Sequence, residues 1–407
     1  MTTLVARVAI AVMALHVIDD SFLQPASGTT FADHLVSGLV PLAALAAVAW
    51  AFPRLRPGAR ATTALVLAPF GIALGAEAVY YWREVGLSGD DYTGLLAIPA
   101  GVAMLGVAAA TLWTSRRLDD SRYWRYPRRL LLAGAGVLGL FWIVSPLSAS
   151  YGFTHITRAE VPVAKLGTVY EKVTLRTSDG LDLAGWYIPS RNGAAVIVYP
   201  GRGSAQKHAR YLSRHGYGVL LFDRRGEGAS EGDPHAFGWS FDHDIKAGVA
   251  FLKQRADVDP GRIGGLGLSV GGEMMLQTAA GTKDLAAVVA DGAGARVVSE
   301  ELSDMQGFEK LFTAPLYLVK TASLAVFSNQ APPSDLTTHI PRIAPRPLML
   351  IHAAKGEVDE KTPEYLAAAR GPAEEWEVPK GGHTAGINTM PEEYARRVLD
   401  FFDRRLR

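Results

Sequence analysis

Ser269 stands at the centre of GLGLSVGGEM (265–274), a G-x-S-x-G run. A serine with Gly267 and Gly271 two residues to either side suits a tight strand-to-helix turn. Such a turn exposes the hydroxyl, and the glycines avoid a collision across the bend. The chemistry this allows is nucleophilic attack on a carbonyl. At neutral pH the alcohol needs a base. Among ten histidines, His383 lies in the glycine-flanked loop of WEVPKGGHTAGI, directly after a strand-like run. His352 falls inside a strand; His208, His215 and His243 fall on helical stretches, where surface positions are expected.

A third group should orient the imidazole and follow the PLMLIHA run. The loop AAKGEVDEKTP offers Glu357, which directly follows Gly356 and lies nearer the strand end. Asp359 is the alternative acid, and Asp291, after the preceding strand, is a third choice. The order Ser269, Glu357, His383 is that of a nucleophile-elbow hydrolase. Oxyanion donors are expected from the N–H of Val270, at the helix start, and the N–H of Arg202 in YPGRGS. There is no G-x-x-x-x-G-K-[ST] run for phosphate and no acid placed for a dinucleotide ribose. The chain has no cysteine, which excludes thiol nucleophiles, disulfides and Cys-ligated metals. No cofactor or metal is implied.

The elements around these residues alternate. KVTLRT and LDLAGWYIP flank SDG as a hairpin. Strand-like runs follow at 194–200, 218–223, 263–269, 286–292, 347–353 and 374–379, separated by helix-length amphipathic stretches. This pattern predicts an α/β domain with a doubly wound, mostly parallel sheet over residues 156–407. The stretch 296–340 breaks the rhythm with the apolar APLYLVKTASLAVF and is expected to be a cap inserted after the sixth strand.

Residues 1–155 are of another kind. Apolar runs at 3–18, 33–52, 62–82, 94–114 and 130–149 lack the charged stripe of a soluble bundle helix, and the last four approach the about 20 residues a bilayer core requires. They raise the mean hydropathy of the 407-residue chain to +0.12. An all-α transmembrane bundle of about five spans is expected. PRLRPGAR and SRRLDDSRYWRYPRR are rich in arginine, whereas the intervening loops are acidic or nearly free of Lys and Arg. The positive-inside rule then puts the N-terminus in the cytoplasm and the α/β domain outside. Polar residues gather near the outer helix ends: His16, Asp19, Asp20, Asp33, His34 and Glu77, of which Glu77 sits deepest. Such a group is a candidate site for metal or substrate head groups. A net charge of +1 gives no field suggesting nucleic acid. Membrane lipids and a small or lipid-like substrate are the expected partners; the oligomeric state is left open.

Together SDGLDLAGWYIP, VIVYPGRGS, LLFDRRGEGASEG, GLGLSVGGE and GGHTAG resemble the α/β-hydrolase superfamily over about residues 168–405. The turn built from Asp223, Arg225, Gly226, Gly228 and Ser230 is similar to that of its esterase, lipase-like and aminopeptidase-like branches, and is read as structural. The nearest style is the membrane-tethered serine hydrolases that include acyl-protein thioesterases. The resemblance implies an acyl-enzyme mechanism on an ester, thioester or amide. Two departures stand out. Pro200-Gly201 replaces the usual His-Gly before the oxyanion loop, and the usual Asp position falls near Gly356. A peptidase of the same fold, or a non-catalytic membrane sensor or transport accessory protein, are the rival readings.

Overall fold

The computed structural model describes residues 1–24, 35–85, 91–115, 128, 131–132, 134–136, 138–155, 164–201, 205–354, 361–380 and 382–406. The chain divides into two compact units. One is helical and comprises Met1–Thr157, Asp233–Phe237 and Met305–Gln330; the other comprises Arg158–Gly232, Gly238–Asp304 and Ala331–Arg407.

The helical unit begins with α1 (Thr2–Ile18), which runs on through a π-turn, Asp19–Leu23. Then come α2 (Leu35–Ala51), α3 (Pro57–Val85), α4 (Asp91–Thr114) and α5 (Ser145–Thr154), the last preceded by a π-turn at Leu140–Val144. Helices α3 and α4 cross at glycines. A side chain on Gly101 would meet the Ala68 carbonyl at 2.6 Å, and one on Gly71 would meet the Gly101 Cα at 3.0 Å. Small residues at such a crossing let two backbones approach closely, the packing favoured where helices have no hydrophobic drive to associate.

The second unit is built on one eight-stranded sheet in the order β1-β2-β4-β3-β5-β6-β7-β8. The strands are β1 (Glu171–Arg176), β2 (Asp182–Ile188), β3 (Ala195–Tyr199), β4 (Gly218–Phe222), β5 (Ile263–Leu268), β6 (Ala287–Asp291), β7 (Leu348–Ala353) and β8 (Ala373–Val378). Strand β2 is antiparallel to β1 and β4; the rest are parallel. Strands β3 to β7 are buried along their whole length, as continuous apolar runs between two helical layers must be. The helices of this unit are α6 (Gln206–Arg214), α7 (Asp242–Lys253), α8 (Val270–Gly281), α10 (Thr362–Ala368) and α11 (Pro391–Leu406).

The expected cap resolves differently. Its apolar part is one helix, α9 (Gly307–Phe327), and this helix belongs to the helical unit. It packs along α5: the Trp142 indole N–H donates to the Phe312 carbonyl at 2.7 Å, and the Ser323 hydroxyl donates to Ser150 Oγ at 2.7 Å. An apolar helix interrupting an α/β pattern looks the same in sequence whichever partner it buries against.

Candidate active site

Register decides where the site forms. Leu268 pairs with Asp291, Asp291 with Ile351, and Ala353 with Val378. The loops after β5, β6, β7 and β8 therefore leave the sheet at one edge, where open α/β sheets bind their ligands.

Ser269 sits between β5 and α8 with φ 55° and ψ −127°, a region that L-residues avoid and that functional turns hold under strain. Its neighbours over-determine that conformation. The Ser269 N–H donates to the Asp291 carbonyl at 2.7 Å, and its own carbonyl accepts from Gly272 N–H at 2.7 Å. A side chain on Gly271 would strike the Tyr199 carbonyl at 2.5 Å, and one on Gly267 would overlap the Gly271 carbonyl. Both glycines of the motif are thus steric requirements. Val270 opens α8, so its N–H is among the donors that a helix start leaves without an intrahelical acceptor. From the other side, a side chain on Gly201 would meet Ser269 Cβ at 2.8 Å, so the loop after β3 presses on the serine. Arg202 lies outside the described residues.

His383 Nε2 lies 2.8 Å from Ser269 Oγ. The imidazole reaches the hydroxyl because Gly292 has no side chain: a Cβ there would approach His383 Cε1 at 2.8 Å and Thr384 Cγ2 at 2.7 Å. Gly292 has φ +73° and Thr384 φ 50°. Neither was singled out from sequence, although the Asp-Gly pair ending AAVVADG was a visible signal. Glu357 and Asp359 lie outside the described residues. Asp291 is buried, and one of its carboxylate oxygens accepts from the Tyr394 hydroxyl at 2.7 Å.

Behind the serine lies a buried polar layer. Glu273, one turn into α8, is pushed up to about 8 by burial, against the pull of Arg296. Arg296 is held by Gln277 Oε1 at 2.6 Å and the Ser334 carbonyl at 2.5 Å, while its backbone N–H donates to Glu300 at 2.7 Å. His208, expected at a surface, is instead enclosed: its ring centroid lies 5.3 Å from that of Tyr394. Burial brings it down to about 3. The polar-looking α6 surface hid this, because the helix buries the face carrying His208, Ala209, Tyr211 and Leu212.

The Asp223–Ser230 turn is bonded into the fold. Ser230 Oγ donates to the Asp223 carbonyl at 2.8 Å and accepts from Ala184 N–H at 2.9 Å. Arg225 pairs with Asp244 at 2.5 Å and Asp179 at 2.6 Å.

Within the helical unit, part of the expected polar group assembles. Thr93 Oγ1 donates to Asp19 Oδ2 at 2.7 Å and lies 3.1 Å from His16 Nδ1; Asp20 Oδ2 lies 3.9 Å from His235 Nε2. Thr93, His155 and His235 join a cluster that sequence limited to the helix ends. Asp33 and His34 lie outside the described residues, as does the side chain of Glu77 on α3.

The family model described as X-Pro dipeptidyl-peptidase (S15 family) matches residues 158–380, more than half of the chain. The chain belongs to that family. Its S15 segment carries the sheet, Ser269 and the strands leading to His383. Among relatives, the YfhR protein of Salmonella typhimurium is 28% identical over 246 residues, covering 56% of this chain and 79% of that protein. The polyketide transferase grgF of Penicillium sp is 35% identical over 133 residues, covering 29% of this chain and 43% of its own. The esterase PF2001 of Pyrococcus furiosus superimposes with a TM-score of 0.51 at 24% identity, over 62% of this chain and 97% of that one. At that identity the likeness establishes the fold. This S15 member is an α/β-fold hydrolase.

Proposed function

We propose that the chain is a membrane-anchored serine hydrolase that cleaves an ester or thioester through an acyl-enzyme. The observation that carries this reading is the 2.8 Å contact between His383 Nε2 and the hydroxyl of the strained Ser269. His383 takes the hydroxyl proton as Ser269 Oγ attacks the carbonyl carbon. The oxyanion is met by the N–H groups of Val270 and Arg202, and Glu357, or in its place Asp359, orients the imidazole. As the tetrahedral intermediate collapses, His383 hands its proton to the leaving alcohol or thiol. Water then repeats the sequence on the acyl-enzyme, releasing the acid and restoring the serine.

Anchoring rests on composition. Helices long and apolar enough to span are present at Thr2–Leu23, Pro57–Ala76, Tyr92–Thr114, Gly134–Thr154 and Gly307–Phe327, with a shorter one at Gly38–Arg54. Helix α9 is a special case. Strands β6 and β7 pair in one sheet, so one crossing between them would divide that sheet across the bilayer. Helix α9 is therefore not counted as a crossing. The remaining five give an inside N-terminus and an outside hydrolase, by the arginine loops. A substrate drawn from the membrane, with a long acyl group, follows from that placement.

The S15 family favours a second reading, hydrolysis of an aminoacyl-proline amide. Turnover of a p-nitrophenyl acyl ester series beside an X-Pro p-nitroanilide separates the two. The ester reading expects kcat/KM to rise with acyl length and the anilide to be turned over at least about a hundredfold more slowly. Faster cleavage of the anilide would replace it with the peptidase reading.

A further inference from the structure

The loop leaving β6 begins GAGAR (292–296), and the imidazole rests on it. Gly292 lies so close to the His383 ring that a Cβ there would stand 2.8 Å from Cε1 and 3.0 Å from Nδ1. Any drift of this loop moves the stop behind the ring. Glycine and alanine give the first four residues no side chain that could anchor them, and glycine adds backbone freedom. The loop is therefore held from outside. Gly292 N–H donates to the Ile351 carbonyl at 2.8 Å, and Arg296 N–H donates to Glu300 at 2.7 Å. Between them, the Gly294 carbonyl accepts from the Tyr365 hydroxyl at 2.9 Å. On its other side Gly294 N–H faces the Glu273 carboxyl.

Tyr365 is well suited to hold such a loop. It is fully buried on α10. Burial raises its hydroxyl far above the ordinary tyrosine range, so the group remains a donor at any working pH. Helix α10 is also the element that follows the stretch carrying Glu357 and Asp359. Its approach is pinned in turn: the buried Lys361 ammonium pairs with Asp304 at 2.6 Å and donates to Ser303 Oγ at 3.0 Å. One phenol thus joins the loop behind the imidazole to the helix at which the acid-bearing stretch ends.

We infer that Tyr365 is a positioning residue for His383: its bond to Gly294 fixes the β6 exit loop against the imidazole and ties that loop to α10. This rests on the hydrolase reading and deepens it. Tyr365 touches no reacting atom and acts through the ring. Groups that support a catalytic side chain set its geometry, and a displacement of about 1 Å can cost about 10²-fold in rate. Losing one of several holds should cost about tenfold.

The test measures the rate of fluorophosphonate capture by Ser269 in the full-length protein, in Tyr365→Phe, in His383→Ala and in the two combined, each with its thermal melt. Tyr365→Phe should slow capture about tenfold while the imidazole is present and by less than about twofold once it is gone, a coupling that the double-mutant cycle isolates. On an ester substrate kcat should fall about tenfold, with KM within about twofold. Should Tyr365→Phe melt below the assay temperature, Lys361→Met, which frees the approach to α10, takes its place with the same expectation. Wild-type rates in the folded variant would overturn the inference. So would equal slowing with and without His383, the mark of a merely structural role. Absence of capture by the wild type would instead defeat the hydrolase reading, and this inference with it.

Discussion

The two units dispose of their apolar side chains in opposite ways. Among the described residues of the α/β unit, Val169 is the one exposed large hydrophobic; the others, from Leu4 and Trp50 to Trp113 and Leu318, all belong to the helical unit. A soluble fold scatters such residues singly, and a surface made of them marks an apolar environment. The difference fits the proposed reading, in which one chain meets two solvents. In the α/β unit burial follows the sheet, and chemistry is concentrated in loops at one edge. In the helical unit apolar residues face both ways, and polar residues are few enough for each to merit an account.

The largest effect that sharpens this contrast is catalytic. Ser269→Ala should lower turnover by about 10⁴–10⁶-fold, and adding His383→Ala should cost little more, because nucleophile and base act as a unit. Neither change should alter the detergent needed to extract the protein. Measured kcat and extraction profiles check both halves, and a shift in extraction would undo the separation of roles.

A second effect concerns acid–base linkage in the α/β unit. Burial raises Glu273 from 4.5 to about 8 in the folded state. Over that interval the folded form holds a proton that the unfolded chain has released. Stability should therefore be full below pH 4.5 and decline as pH rises toward about 8, by on the order of a few kcal/mol. Glu273→Gln should flatten the decline, which thermal melts across pH would register; an unchanged slope would contradict the assignment.

Outward-facing positions test the two solvents directly. Leu105→Arg, on an exposed face of α4, should cost about 2.5–3.5 kcal/mol of insertion free energy. Val169→Arg should stay within about 0.5 kcal/mol. Equal tolerance at the two sites, read as membrane-integrated yield, would break the comparison. Because the chain has no cysteine, topology can be read on single-cysteine variants. Val169→Cys should react with an impermeant maleimide on intact cells, and Arg56→Cys only after permeabilisation.

A last effect, at the acid end of the pH range, is at His208. Burial lowers it to about 3 from 6.5, so the unfolded chain takes up a proton that the folded chain refuses. Stability is complete above pH 6.5 and falls as pH drops toward 3. His208→Phe should reduce that acid loss while changing neutral-pH stability by no more than about 1 kcal/mol. A steeper acid limb in the variant would refute this account.

What was legible in the sequence follows from how local each feature is. The central strands β3 to β7 were visible as apolar runs, because buried parallel strands need no alternation to reveal them. Gly267, Ser269 and Gly271 form a motif whose sterics are contained in five residues, and His383 advertised itself by its glycine-rich loop. Helix α9 was found but given the wrong partner, since an apolar face does not name what covers it. His208 misled because α6 carries charge on its other face. Gly292 went unnoticed because its role is to make room for a ring about ninety residues away, a relation that exists only after folding. His235 was missed for the same reason: its neighbours, Asp20, Thr154 and His155, lie far before it in the chain.

The central claim is that Ser269 is an alcohol activated by His383. Peptide mass spectrometry of the full-length protein after brief exposure to a fluorophosphonate tests it most directly. A single adduct on the peptide carrying Ser269, absent from Ser269→Ala and formed far more slowly in His383→Ala, is the predicted result. An adduct on another residue, or one formed at an equal rate without the imidazole, would contradict it.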